Sequence, residues 1–278
     1  MKDMASDLKP HPRSGEIAWD HGTHQDFFDY YAEASRSAAA QQRFRTIQTK
    51  LLRLAARAGM PARLEVADVG CGAGTQVRMW AELGHRVHGL DVNAPLIELA
   101  KQRTRDSRLE ASFEVGTATS LPWADTSMDI CLLPELLEHV KDWEACLKEA
   151  ARVLKAGGLL YLSTTNVLCP VQDEFNLPLY SWYPAALKRY CERLAVTTRP
   201  GIANHAKYPA VHWFSFYSLQ RYLEPLGFRC LDRFDLIDAA TKPLLARLMV
   251  CALRALPPAR FLGHVATPAT FLVATKSR

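Results

Sequence analysis

The chain has 278 residues, of which 49% are apolar, and a formal net charge of +5. That is enough apolar material for one large domain with a substantial core, and it excludes a disordered chain. The mild basic excess does not by itself imply a nucleic-acid partner, and no apolar run reaches the about 18 residues needed for a membrane-spanning helix.

In chain order, residues 1–20 read as a loose arm: "MKDMASDLKPHPRSGE" is polar, contains proline and has no apolar core, so neither a signal peptide nor an anchor is expected. Residues 21–278 read as a single domain. Helices are expected over 24–34 and 38–58. The second carries Phe44, Ile47, Leu51, Leu54 and Ala55 on one face and ends at Gly59 and Pro61. Strands and helices then alternate. Strands are expected at 64–69, 86–91, 111–115, 128–133 and 159–166, and helices at 74–84, 94–105 and 135–154. Gly157 and Gly158 turn the chain into the fifth strand. This alternation predicts right-handed βαβ units and a parallel sheet. Residues 167–215, rich in proline and aromatic residues, break the rhythm as an insertion with some helix near 184–195. A helix at 217–226, a strand at 228–235, a helix at 242–256 and a last strand at 269–276 complete the chain.

Candidate chemistry concentrates in "EVADVGCGAGTQVRMWAELGHRVHGLDVN", residues 65–93. Gly70, Gly72 and Gly74 stand at alternate positions between the first strand and the first helix of the α/β unit. Ligands of open α/β sheets bind at this end. Glycine lets the chain turn tightly and lets a ligand approach the backbone. Asp91 ends the second strand, where a carboxylate can hold the two vicinal hydroxyls of a ribose. The spacing is G-x-G-x-G, not the G-x-G-x-x-G of dinucleotide sites, and no G-K-[ST] follows for a phosphate loop. The features fit an adenosyl ligand of another kind, with an ordinary glycine-rich βα turn as the competing reading.

With Asp68 two residues before Gly70, this motif resembles that of class I S-adenosylmethionine-dependent methyltransferases. "GTATSLPWADTSMDI" (116–130) and "PELLEHVKDWEACLKEAARVLKAGGLLYLSTTN" (134–166) are similar to the family's segments around its fourth and fifth strands. The resemblance covers residues 60–166 and 217–276 and is nearest the ubiquinone-biosynthesis O-methyltransferase type. It implies a Rossmann-like α/β fold: a seven-stranded, mostly parallel sheet with the last strand antiparallel, helices on both faces and S-adenosyl-L-methionine as the methyl donor. By position it implies a cofactor site of Asp68, Gly70, Cys71, Gly72, Gly74, Asp91, Val92, Thr117, Ala118, Leu133 and Pro134. Asp68 and Gly70 would lie near the methionine moiety, Asp91 on the ribose, Val92 and Ala118 about the adenine, and Leu133 and Pro134 beneath the sulfonium. Many relatives have Asp where this chain has Thr117, which weakens one expected contact to the adenine amino group; the backbone N–H of Ala118 remains for the ring.

If the acceptor is a hydroxyl, a base must take its proton. His139 is the first candidate because it follows the fourth strand; His205 and His212 in the insertion are the alternatives. Glu135, Glu138 and His139 stand at i, i+3 and i+4 and would share one helix face. "ELLEHV" matches the E-x-x-E-H of the ubiquinone O-methyltransferases, where the trio is associated with a divalent cation, so Mg2+ is carried as a further cofactor expectation. Local packing of the acid and the histidine is the competing reading.

In the insertion, Phe175, Tyr180, Trp182, Tyr183, Tyr208, Trp213, Phe214 and Phe216 either line an acceptor pocket or pack the segment onto the domain. Over 241–262 an extra basic amphipathic helix is expected. Its apolar face is Leu244, Leu245, Leu248, Met249, Ala252, Leu253 and Leu256, with Lys242, Arg247 and Arg254 off that face. From residue 236 onward six basic residues oppose the single acid Asp238. Such a helix rests either on its own domain or on an anionic bilayer. Seven dispersed cysteines without a C-x-x-C suggest reduced thiols and a cytoplasmic setting, with peripheral contact to the inner face of the membrane as an addition.

The sequence therefore reads as an O-methyltransferase of a small-molecule or lipid-like acceptor, such as a quinone precursor, a lipid or a lipid-linked sugar. An RNA or DNA methyltransferase is disfavoured, because "LLPEL" stands where [DN]-P-P-[YF] is expected and no nucleic-acid-binding module is present. A non-catalytic adenosyl-binding partner protein is the other alternative.

Overall fold

The computed structural model describes residues 32–33, 35–105, 108–203, 210 and 212–277. The expected arm over 1–20, the helix over 24–34 except residues 32 and 33, Tyr208 and His205 lie outside the described residues.

The strands are β1 (Glu65–Val69), β2 (Arg86–Asp91), β3 (Ala111–Val115), β4 (Met128–Pro134), β5 (Leu154–Thr165), β6 (Phe228–Asp232) and β7 (Ala269–Lys276). They form one sheet in the order β3-β2-β1-β4-β5-β7-β6. β1 to β5 run parallel, and β7 lies antiparallel between β5 and β6. This is the Rossmann-like fold of class I methyltransferases. The strand order reverses at β1, so the loops after β1 and β4 open side by side at the switch point where α/β sheets hold their ligands.

The helices are α1 (Ala38–Arg57), α2 (Thr75–Ala81), α3 (Ala94–Thr104), α4 (Trp143–Val153), α5 (Ala185–Thr197), α6 (Phe216–Leu223), α7 (Leu244–Ala255) and α8 (Pro257–Val265). Side-chain caps begin several of them: Ser37 accepts from Ala40 N, Asn93 from Leu96 N and Asp142 from Ala145 N. The alternation of strand residues builds two cores. Val66, Ile130, Leu132, Leu159 and Val273 face Ile47, Leu51, Val77 and Ile97 of α1, α2 and α3. Ala67, Val69, Cys131, Leu133, Leu160 and Leu162 face Leu147, Ala150 and Leu219 of α4 and α6.

Three expectations change. The helix expected over 135–154 begins only at Trp143. Residues 135–142 are a turn segment, with Glu135 in the left-handed region (φ 51°) and Asp142 as the cap. β5 starts at Leu154 instead of 159, and Gly157 (φ 80°) lies within it where pairing with β4 shifts between Met128 and Ile130. The single helix expected over 242–256 is two helices, because Pro257 and Pro258 restart the chain as α8.

The α7–α8 pair is fastened to the sheet's edge by buried Asp232 at the end of β6. Its carboxylate accepts from Arg260 Nε (2.7 Å) and the backbone N–H of Phe234 (2.8 Å), and pairs with His264 Nε2 (2.8 Å). His264 stacks on Phe216 with 5.3 Å between ring centroids. Burial alone would raise the Asp232 pKa; the hydrogen bonds from His264 and Arg260 outweigh it and hold the carboxyl well below the usual range. A lowered folded pKa means that this stabilisation is full above the unfolded value of about 3.9 and is lost as pH falls below it. Asp232→Asn is expected to lose about 3 kcal/mol at neutral pH, since two partners are left unpaired. Urea unfolding at several pH values checks this: below pH about 4 the wild type should lose its advantage over the variant.

Candidate active site

The turn between β1 and α2 carries the alternate glycines. Gly70 N and Cys71 N both donate to Leu90 O (2.8 and 3.0 Å), which ties the end of β1 to the end of β2. Gly72 (φ 51°) and Gly74 (φ 74°) lie in the left-handed region, but for different surroundings. A Cβ on Gly74 would stand 2.8 Å from both Ala100 Cβ and Phe113 Cε1, so this glycine serves packing. A Cβ on Gly72 would meet nothing within 4 Å, so its backbone borders open space.

Asp91 organises the surrounding loops. Its Oδ2 accepts from Gly72 N and its Oδ1 from Asn93 N, each at 2.8 Å, while its carbonyl accepts from Gly116 N at 3.0 Å. The loops after β1, β2 and β3 thus converge on one residue. Burial raises the Asp91 pKa, and the N–H donors from Asn93, Gly72 and Val92 oppose the rise. Asp68 is buried beneath the same turn. Burial, then the nearby Asp91 charge, push its pKa up to about 7, with the hydrogen bond from Gln76 Nε2 (3.3 Å) working against them. Gln76 was not singled out from sequence. It is buried in the first turn of α2, and its Oε1 has no hydrogen-bond partner among the described residues. A polar residue two places after a glycine turn, in a helix turn that is otherwise buried, was the signal available.

The remaining adenosyl-side candidates fall around this corner. Val92 is half-buried beside Asp91, and Ala118 is buried. Thr117 Oγ1 lies 2.9 Å from Thr119 Oγ1 and accepts from Thr119 N. Cys71 turns its Sγ toward Gly89, whose Cβ, if present, would sit 2.8 Å away. Burial raises this thiol's pKa well above its usual value, so it stays protonated. Leu133 is fully buried and Pro134 half-buried at the end of β4. The turn that follows roofs the corner, with Leu136 Cδ1 at 3.0 Å from the Cβ position of Gly70.

The structure separates the expected metal trio. Without a helix at 135–142, the i, i+3, i+4 spacing no longer puts the three on one helix face. Glu135 is exposed and pairs with Arg43 (2.8 Å). The buried Glu138 carboxyl accepts from Thr164 Oγ1 (2.8 Å), and burial raises its pKa well above the usual range. Among the described residues no group of three His, Cys, Asp or Glu is placed to hold a metal ion, so these residues do not fit Mg2+. What the turn does hold is a histidine pair. Burial, and then the neighbouring His212, push the His139 pKa down to about 4. Burial also lowers that of His212, whose backbone N–H donates to Glu138 O (3.2 Å). Thr165 Oγ1 donates to His212 O (2.9 Å), clipping the end of the insertion to β5.

The insertion's aromatic residues divide. Phe175 and Tyr180 stack at 4.0 Å, and Tyr180 meets Trp213 edge-on at 5.5 Å, forming a small core with Cys191 and Ala195. Phe214 and Phe216 belong to the main core. These side chains pack the insertion and the main core, whereas Trp182 is 55% exposed.

Comparison with known proteins agrees with the fold. Residues 67–162 match the family described as Methyltransferase domain. A ubiquinone biosynthesis O-methyltransferase from Chelativorans sp. is 35% identical over 103 residues, covering 37% of this chain and 41% of the relative. One from Xanthomonas oryzae pv. oryzae is 37% identical over 111 residues, covering 38% and 46%. The chain therefore spans less than half the length of these curated relatives. The structure of the YcgJ protein from Bacillus subtilis superposes with a TM-score of 0.52 at 20% identity, covering 83% of this chain and 99% of that one, which is a likeness of fold.

Gly74→Ala is expected to destabilise the protein by about 2–4 kcal/mol, combining left-handed strain with overpacking. Gly72→Ala carries only the strain, about 1–2 kcal/mol. Urea unfolding of the two variants checks the difference.

Proposed function

We propose that the chain transfers a methyl group from S-adenosyl-L-methionine to a hydroxyl oxygen of a small or lipid-like acceptor. The observation that carries this reading is the unobstructed backbone at Gly72, held against the Asp91 carboxylate at the switch point of a methyltransferase-type sheet. The O-methyltransferase names of the partial relatives support the acceptor class.

In this reading the Asp91 carboxylate, with about four lone-pair sites against the N–H groups of Gly72, Asn93 and Val92, keeps capacity for a ribose hydroxyl. Val92 and Ala118 border the adenine. Thr117 is occupied with Thr119, so the adenine amino group gains little from it and the backbone at Ala118 does the recognising. Asp68 and the free oxygen of Gln76 face the ammonium of the methionine moiety, with Leu133 and Pro134 under the sulfonium. The donor supplies an activated methyl group: the acceptor oxygen forms the new C–O bond as the C–S bond breaks. The chain's own task is chiefly positioning, which can contribute about 7–11 kcal/mol. His139 is the proposed base. It is unprotonated at pH 7, and its pKa of about 4 makes it a weak base, with His212 beside it as the alternate. Glu138 keeps the turn in place through Thr164.

Calorimetric titration with S-adenosylhomocysteine tests the site. Binding is expected, and Asp91→Ala should weaken it at least about tenfold, the loss of one charge-assisted contact. Asp68, with a pKa of about 7 in the free protein, must give up its proton to face an ammonium. Affinity should therefore be flat above pH 7 and fall about tenfold per unit below it, while Asp68→Asn should bind weakly with no such slope. Labelled donor incubated with quinol and lipid acceptors, followed by mass spectrometry, tests the transfer. Binding without any methylated product would support an adenosyl-binding protein instead. Because Glu135, Glu138 and His139 do not form a cation site, a chelator is expected to leave turnover unchanged.

A further inference from the structure

The α7–α8 pair presents its apolar side away from the protein. Val250 is buried and Arg254, one turn later on that inner flank, bonds to Phe234 O (3.0 Å) and Asp235 O (3.1 Å). On the outer side Leu244 is 73% exposed, Leu245 76% and Leu262 64%, with Leu248, Met249 and Phe261 also exposed. Of the two placements left open from the sequence, burial of the apolar face on its own domain is not the one observed. A cluster of large apolar side chains this exposed marks an interaction surface.

Charge decides what covers it. No residue from 239 to 278 is acidic, and Lys242 and Arg247 lie just before α7 and on it, both exposed. A second copy docked about a twofold axis would bring these cations against their own equivalents. An anionic bilayer would take the leucines into its interface and meet the cations with its headgroups. A third observation extends the surface. Exposed Trp182 donates from Nε1 to Leu168 O (3.1 Å), Leu168 N donates to Asn166 Oδ1 (3.0 Å), and Asn166 Nδ2 donates to His264 O (2.8 Å) at the end of α8. Tryptophan is favoured at the membrane–water boundary, and this one is linked to the helix pair by three successive hydrogen bonds.

We infer that the outer face of α7 and α8, with Trp182, docks the protein on the surface of an anionic lipid bilayer. No helix among the described residues is long and apolar enough to cross a membrane, so the contact is peripheral. Docking does not depend on the methyltransferase reading.

The test is co-sedimentation of the full chain with vesicles of phosphatidylcholine alone or mixed with phosphatidylglycerol. Binding to the mixed vesicles is expected to exceed binding to phosphatidylcholine at least fivefold and to weaken with added salt. Leu245→Glu with Leu248→Glu should reduce it at least tenfold while leaving the melting temperature unchanged, since both side chains are exposed. Lys242→Glu with Arg247→Glu should remove the preference for the anionic vesicles and covers the case in which the leucine variant fails to fold. Protein left in the supernatant with both vesicle types would overturn the inference. So would a dimer in analytical ultracentrifugation that the leucine substitutions dissolve, because the face would then belong to a second copy.

Discussion

The convergence of three loops on Asp91 is the constraint on which the rest of the candidate site depends. One carboxylate takes the N–H groups of Gly72 and Asn93, and the same residue's carbonyl takes that of Gly116. An acid buried at this position is costly, and its pKa is raised for that reason. The cost is met by N–H donors that leave part of the carboxylate's capacity unused. A group held this way is a structural knot, and in the proposed reading the same atoms that order the loops would also accept the sugar hydroxyls.

Beneath that knot Asp68 shares the burial and feels the charge of Asp91, which raises its own pKa to about 7. Above it, the turn over 135–142 closes against Gly70 through Leu136. That turn also orients the histidines. Glu138 is fixed to β5 by Thr164 and to the insertion by the N–H of His212, and His212 lies close enough to disfavour the charged form of His139. Both imidazoles are neutral at pH 7 because burial disfavours their charged forms. The departure from a helix at Glu135 is what separates the three side chains a metal would need.

The additions to the common sheet have a division of their own. The insertion spends most of its aromatic residues on an internal core, which makes it a small packed body clipped to β5 at Thr165. The α7–α8 pair spends its polar residues inward, on Asp232 and on the carbonyls near Phe234, and its apolar ones outward. An inner face fastened by buried ion pairs frees the leucines from any duty in the fold.

The alternation of strands and helices, the glycine turn and the two acids at the strand ends were legible in the sequence, because period, turn chemistry and strand-end position are local properties. From these the sheet, its switch point and the corner around Gly72 and Asp91 followed. Tertiary structure alone decided the rest. Glu135 reads as helical by spacing, yet its pairing to Ser163 of β5 holds it in a left-handed turn. Gln76 reads as an ordinary helix residue until burial beside Asp68 gives it a role. The leucines of α7 have the same 3.6-residue period whether they face a core or a solvent. Amphipathicity specifies that a helix has two faces; only the anchoring of Val250, Arg254 and Arg260 decided which one turns outward.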